Sequence, residues 1–183
     1  MMPDRDFEPI TTERLILRRS HAGDAAAISA YRSEPEVHRY QGWERTDHEG
    51  VHEEITEMSR RAPGEPGGWV QLSVEQRDTG RLVGDVGLSL DEHEPGVIKI
   101  GYTMDPDFQG RGYATEAVTA LVGYAFDGLG AEKVRAFASA ENLASIRVAE
   151  KVGLRLAERF ERTYDGETWQ GVRYEVARSE RRA

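Results

Sequence analysis

The sequence contains no cysteine, which excludes disulfides, thiolate metal sites and a cysteine nucleophile. It has no run of 18 or more apolar residues, so no segment reads as a transmembrane helix. Met1-Met2-Pro3-Asp4 lacks the basic-then-apolar pattern of a signal segment, and a cytoplasmic location is expected. Basic residues are in the minority: 24 Lys and Arg stand against 33 Asp and Glu, a formal charge of −9. A nucleic-acid surface needs clustered Lys and Arg, so that partner is disfavoured, while attraction of a cationic substrate is permitted. Internal repeats and low-complexity tracts are absent. What is present is a chain of 183 residues, 38% hydrophobic and 31% charged, fitting one domain over residues 1–183 with a single core. Glycine is plentiful at 19, and its placement carries the chemistry.

The hydrophobic pattern predicts a strand over Thr12–Arg19, a helix near Asp24–Arg32, and an irregular stretch through Tyr40 and Trp43. Thr46 to Glu49 reads as a capping box opening a second helix, with Val51, Ile55 and Met58 as a narrow apolar stripe. Strands are predicted over Trp69–Glu75, Leu82–Leu90 and Val97–Met104. A third helix carries a broad stripe of Ala114, Ala117, Val118, Leu121, Val122, Ala125 and Phe126, with Gly128 and Gly130 at its end. A strand over Val134–Ala138, a helix over Asn142–Val152, and strands near Arg155–Thr163 and Trp169–Ala177 around an Asp165-Gly166 turn complete the chain. The order β-α-α-β-β-β-α-β-α-β-β, with one strand-helix-strand crossover between hairpins, implies an α/β fold with a mixed sheet covered by helices.

The segment Gln109-Gly110-Arg111-Gly112-Tyr113-Ala114 joins the third of those central strands to the long helix. Two glycines let the backbone approach a ligand, and the helix start behind them offers unpaired N–H groups and the positive dipole end, a site suited to a pyrophosphate. A plain glycine turn joining strand to helix is the competing reading. No G-x-x-x-x-G-K-[ST] is present, and Thr115 stands where a dinucleotide fingerprint has Gly or Ala.

Gln109-Gly110-Arg111-Gly112-Tyr113-Ala114 resembles the Q/R-x-x-G-x-G/A motif of the GCN5-related N-acetyltransferases (GNAT), in their RimJ/RimL-like branch. Thr12-Glu13-Arg14-Leu15-Ile16-Leu17-Arg18 is similar to that branch's opening strand, and Ile100-Gly101-Tyr102 to its central strand. Asn142 to Leu154 resembles N-x-x-S-x-R-V-x-E-K-x-G-F, with Leu154 for the usual aromatic. The resemblance spans residues 11 to 177 in order. It implies a mixed, mostly antiparallel twisted sheet of about seven strands flanked by about four helices, and direct transfer of the acetyl group of acetyl-CoA to a primary amine. By resemblance, backbone N–H groups of Gly110, Arg111, Gly112, Tyr113, Ala114 and Thr115, after Gln109, hold the CoA pyrophosphate. The strand through Tyr102, Thr103 and Met104 pairs with the pantetheine arm, and one of its N–H groups can polarise the thioester oxygen.

Many relatives carry a tyrosine just before the E-K-x-G-F run, to protonate the leaving thiolate. This chain has Ala149 there. In the RimL-like branch the serine of N-x-x-S is the replacement, which makes Ser145 the candidate catalytic donor and Asn142 a cofactor-side contact. A serine bonded back to its own helix turn and an asparagine acting as a helix cap are the plain alternatives. Lys99 stands where relatives often have a carboxylate, leaving Glu75, Asp85, His93 and Glu94 as open choices of base, none assigned. An α-amino acceptor, with pKa near ~8 against ~10 for an alkyl ammonium, asks less of such a base. By analogy the acceptor pocket lies between the first two helices and the last hairpin, with Tyr31, Tyr40, Trp43, Trp69 and Trp169 as candidate lining.

His48-Glu49-Gly50-Val51-His52 matches H-E-x-x-H, the zinc-protease helix motif. The capping role of Glu49, the charged flanks Asp47 and Glu53-Glu54, and the want of a third ligand argue against it, and no metal is expected. Three functions are therefore weighed: acetyl-CoA-dependent N-acetyltransferase first, an acyl-CoA-binding sensor on the same fold second, a zinc hydrolase third. The expected partner is an amine-bearing small molecule or a protein N-terminus, with neither nucleic acid nor membrane; a homodimer is compatible with the sequence.

Overall fold

The computed structural model describes residues 3–41, 46–164 and 167–181. Trp43 and the Asp165-Gly166 turn lie outside the described residues.

The chain opens with a hairpin of β1 (Ile10–Thr11) and β2 (Leu15–Arg19) where one strand was expected. Thr12 breaks it: its N–H donates to the Leu15 carbonyl at 2.9 Å, and its hydroxyl accepts the Leu15 N–H at 3.0 Å. Then come α1 (Ala25–Arg32), a short α2 (Pro35–His38) and α3 (His48–Met58). Pro35 explains α2, since proline disfavours helix in the residue before it and suits the first turn of the next. The expected capping box is not the one formed. The N-cap position of α3 falls on Asp47, and the Thr46 carbonyl accepts the Ser29 hydroxyl at 2.7 Å, docking α3 on α1.

Strands β3 (Trp69–Gln76), β4 (Leu82–Leu90) and β5 (Val97–Met104) lead into α4 (Tyr113–Asp127). The chain continues through β6 (Lys133–Ser139), α5 (Leu143–Val152), β7 (Arg155–Tyr164) and β8 (Glu167–Ala177). The eight strands run in the order β1-β2-β3-β4-β5-β6-β8-β7. Every described pairing is antiparallel except β5 with β6, the crossover through α4. Among the described residues the fold is thus a mixed, mostly antiparallel sheet of eight strands with five α-helices, one more of each than the sequence suggested, from the split first strand and α2.

The two sheet faces differ in chemistry. Leu15, Leu17, Val70, Leu72, Val74, Val86, Leu88, Ile98 and Ile100 pack on one face against the buried stripe of α4. Side chains alternate along a strand, so Gln71, Ser73 and Asp85 fall on the other face, all buried. There α1 and α3 pack through a smaller cluster of Ala25, Ile28, Tyr31, Val51 and Ile55.

One break in the sheet positions everything that follows. Strand β5 pairs with β6 from Val97↔Lys133 to Ile100↔Ala136 and no further, although β5 runs on to Met104 and β6 to Ser139. On its other side β5 stays paired with β4 through Met104↔Gly84, while β6 stays with β8 through Ser139↔Gly171. The two central strands therefore part, leaving residues 101–104 with a backbone edge about 13 Å long facing the gap.

Candidate active site

The turn after β5 is built for an anion. Gly110 and Gly112 adopt φ of 73° and 83°, in the left-handed region that favours glycine. A Cβ on Gly110 would meet nothing within 4 Å, so the turn faces open space. Helix α4 closes its first turn by the Glu116 N–H donating to the Gly112 carbonyl at 3.0 Å. Among the described residues, no protein acceptor takes the N–H groups from Gly110 to Thr115. A row of unpaired donors at the positive end of a 15-residue helix fits a pyrophosphate.

The side chains of the turn serve to hold it. The Gln109 amide donates to the Met104 carbonyl at 3.1 Å, and Arg111 to the Asp107 carbonyl at 2.9 Å. Tyr113 is buried, its hydroxyl accepting from Gln76 at 2.8 Å. With these side chains engaged, the N–H groups of Arg111 and Tyr113, like those of Ala114 and Thr115, have no protein acceptor among the described residues. Three residues given no site role from the sequence, Thr12, Arg14 and Glu116, fix the turn from outside. The Glu116 carboxylate accepts the Thr12 hydroxyl at 2.6 Å, the Arg14 N–H at 2.8 Å and the Arg14 Nε at 2.7 Å. Arg14 also donates to the Arg111 carbonyl at 3.0 Å and lies over the Tyr113 ring at 4.6 Å. These bonds hold the Glu116 carboxyl below the usual carboxylate range against the opposing effect of burial. The signal was present, in a Thr-x-Arg at the first strand and a Glu in the first turn after Gly-x-Gly.

Ser145 sits at the gap between β5 and β6. Asn142 caps α5, its side-chain oxygen accepting the Ser145 N–H at 3.0 Å, so the capping reading of Asn142 is the geometry found. The Ser145 hydroxyl does not bond back to its own turn. It donates to the Tyr102 hydroxyl at 2.9 Å, and Tyr102 donates to the Ser145 carbonyl at 2.8 Å. Tyr102, Ser145, Ala136 and Phe137 line a small crevice where the strands part. Burial raises the Tyr102 pKa, with the Ser145 hydrogen bond acting in the other direction. Tyr102 is therefore a neutral phenol linked to a serine hydroxyl, each hydroxyl hydrogen being engaged within the pair.

On the opposite face of β5 lies a cavity of about 260 Å³, lined by Thr103, Gly101, Trp69, Gln71, Asp85 and Glu54 among others. Trp69 is 38% exposed and lies over Gly87, where a Cβ would come within 3.1 Å of its ring. Asp85, 6% exposed, accepts a short hydrogen bond from the Tyr31 hydroxyl and has Arg32 Nη2 at 3.7 Å. Arg32 also donates to Glu54 at 2.7 Å. Burial raises the pKa of Asp85, opposed by Arg32 and by the Tyr31 hydrogen bond. The Tyr31 hydroxyl is pushed well above its ordinary value, chiefly by burial and then by Asp85. Gln41 donates to the Thr103 hydroxyl at 3.2 Å across the cavity mouth.

The remaining sequence candidates are placed elsewhere. Glu75 accepts from Arg18 at 2.8 Å in a network with Asp24. Glu94 is bonded to Lys133 and Arg135, and His93 is exposed in the β4–β5 connection. Asp85 is the member of that set of four that lines the cavity. Trp169 is exposed beside Phe160, and Tyr40 lies under Arg39, neither of them at the cavity. His48 and His52 are both exposed on α3, with ring centroids 6.2 Å apart. Among the described residues no group of three His, Cys, Asp or Glu is placed to hold a metal ion.

The parted parallel pair lies beside the glycine turn, and comparison with known proteins shows the family. Residues 14–155 match the acetyltransferase (GNAT) domain family. This chain belongs to the GNAT family. It is an acyltransferase enzyme, similar to the uncharacterized N-acetyltransferase YoaA of Bacillus subtilis (34% identity over 80% of this chain and 82% of that protein). Among solved structures, a GNAT acetyltransferase from Bacillus anthracis superposes with a TM-score of 0.84 at 24% identity, over 94% of this chain and 100% of that one. RimL, the ribosomal L7/L12 alpha-N-protein acetyltransferase in complex with coenzyme A, gives a TM-score of 0.78 at 17% identity, over 93% and 98% of the two chains. At those identities the structural likeness concerns the fold. GNAT acetyltransferases use acetyl-CoA.

Proposed function

We propose that this GNAT enzyme moves the acetyl group of acetyl-CoA directly to a primary amine, within the RimJ/RimL-like branch. The observation that carries the reading is the parting of β5 from β6 after Ile100↔Ala136, next to the unpaired N–H row of Gly110–Thr115. The thioester supplies the activated acyl group. The chain's own parts then divide the work. The N–H groups of residues 110–115 hold the pyrophosphate, and the free edge of residues 101–104 orients the arm and offers an N–H to the thioester oxygen. Ser145, turning its hydroxyl away from the Tyr102 oxygen, gives a hydrogen bond or proton to the leaving sulfur. Asn142 acts by placing Ser145. No cysteine is present to carry an acyl intermediate, which supports direct transfer.

Gly112→Asp tests the donor site, because it puts a side chain and a like charge into a left-handed turn facing the phosphates. Titration calorimetry is expected to show CoA affinity lowered at least about 100-fold, since like charges at such range cost several kcal/mol; unchanged affinity overturns the assignment. Ser145→Ala is expected to lower kcat by about 10- to 100-fold with CoA affinity unaltered. CoA binding without turnover of any amine would favour the acyl-CoA sensor instead.

A further inference from the structure

The cavity on the far side of β5 is larger than the acetyl site needs, and its polar groups are left unbalanced. Asp85 and Glu54 face it with two carboxylates, and Arg32 is the cationic side chain among its described lining. Among the described lining residues the single cation Arg32 is shared between these two carboxylates, in a pocket walled by Trp69 and Met58. Asp85 is buried with its cation at 3.7 Å, and that cation is bonded more closely to the partly exposed Glu54, so a ligand cation would relieve the cost of burying Asp85. A second observation points the same way. Gln71, also 6% exposed, lines this cavity, and its amide nitrogen has no hydrogen-bond partner among the described residues. Buried amide donors are nearly always paired, so this one is available to a ligand that carries an acceptor beside its charge.

We infer that Asp85, held by Tyr31 and Arg32, docks the ammonium group of the acceptor and takes its proton, so that the acceptor is a cationic primary amine with a carbonyl or hydroxyl close to the nitrogen. The inference rests on the acetyl-transfer reading above. Asp85 lies directly opposite Thr103 in the β4–β5 register, one strand from the edge proposed to hold the thioester. An amine seated on it enters from the α1–α3 side, while Ser145 stands on the other face with the leaving sulfur. The proton balance then closes. One ammonium proton passes to the Asp85 carboxylate, and the nitrogen lone pair forms the N–C bond as the C–S bond breaks. The second proton leaving nitrogen ends on the sulfur, and Asp85 returns its own to solvent. Burial moves Asp85 toward the range of an effective proton acceptor.

The charged and titratable groups facing Asp85 are Tyr31 and Arg32 from α1 and Glu54 from α3; its register neighbours on β3 and β5, Ser73 and Thr103, are neutral. If activity needs Asp85 ionised, kcat/KM rises with pH through its pKa. Tyr31→Phe removes a hydrogen bond that favours the ionised form, so the acid limb of the profile moves to higher pH.

The test uses alaninamide as the acceptor and aniline, uncharged at neutral pH, as its control. Wild type is expected to acetylate alaninamide at least about tenfold faster than aniline. Asp85→Asn is expected to raise KM for alaninamide about tenfold and lower kcat, with CoA affinity by calorimetry unchanged. Unaltered kcat/KM in Asp85→Asn, or equal use of aniline, overturns this inference and leaves the acetyltransferase reading intact. No turnover of any amine by wild type removes both. Should Asp85→Asn fail to fold, Tyr31→Phe decides: an upward shift of the acid limb supports the inference, and an unshifted limb overturns it.

Discussion

Tyr102 and Ser145 meet because α5 begins where β5 has already left β6, so a side chain on the core face of β5 can reach the first turn of the helix. Their bonding is reciprocal, with one hydroxyl passed to the other and returned to the serine carbonyl. Tyr102→Phe removes both bonds and leaves the ring. It is expected to destabilise by about 1 kcal/mol, read by thermal unfolding. If the phenol orients the Ser145 hydroxyl, the variant also loses turnover, and combining it with Ser145→Ala adds little further. Full additivity of the two losses would show that they act separately. The residues of this pair were legible because serine, asparagine and tyrosine occupy recognisable places in local motifs. Asp85 was legible only as one of four carboxylate or imidazole candidates. Its neighbours Tyr31 and Arg32 are more than fifty positions away in sequence, and only the packing of α1 on the sheet gathers them.

At the scale of elements, helix α4 is the piece that sequence periodicity described most fully. Its stripe of Ala117, Val118, Leu121, Val122, Ala125 and Phe126 is buried against the sheet as expected. Leu121, wholly buried, makes the measure of that packing: Leu121→Ala is expected to cost about 3 kcal/mol, a fall in Tm of about 6–12 °C for a chain of this length. The ends of elements were less legible. The Thr12 turn and the start of α3 after Thr46 depend on which neighbour reaches a backbone group first, and that is decided by tertiary docking. The clasp of Thr12 and Arg14 on Glu116 is such a case, tying the first hairpin to the first turn of α4. Glu116→Gln keeps the shape and removes the charge. It is expected to cost about 1–2 kcal/mol, less than a buried pair because Arg14 is partly exposed. Because the same clasp fixes the Arg111 carbonyl, CoA affinity is expected to fall about tenfold, the equivalent of some 1.4 kcal/mol. Calorimetry on a variant that still melts cooperatively checks this, and unchanged affinity would confine the clasp to a structural role.

Taken as a whole molecule, the sheet separates a dry core under α4 from a polar layer under α1 and α3, and two buried aspartates in that layer respond to pH in opposite senses. Asp24 accepts from both Arg18 terminal nitrogens at 2.8 Å, from Ser73 at 2.8 Å and from the His21 N–H at 3.0 Å. Burial works against it, yet these partners hold its carboxyl below the ordinary range. Its contribution is complete above the unfolded value of about 3.9 and is lost as pH falls through the lower folded one. Asp85 is held above its ordinary value by burial. Its favourable contribution exists only below about 3.9 and is lost as pH rises through the raised folded value. Thermal unfolding of wild type, Asp24→Asn and Asp85→Asn across pH 4 to 8 separates the two. Asp24→Asn is expected to be less stable than wild type by about 2–3 kcal/mol at pH 7, with the gap closing toward low pH. Asp85→Asn keeps an acceptor for the Tyr31 hydroxyl and is expected to gain on wild type as pH rises from about 4 toward neutrality. Curves for the two variants that bend the same way would show that Asp85 is stabilised as an ion by its neighbours. The opposite bend would show a carboxylate kept charged against the preference of the fold, which is the condition expected of a group whose natural partner is the substrate's cation.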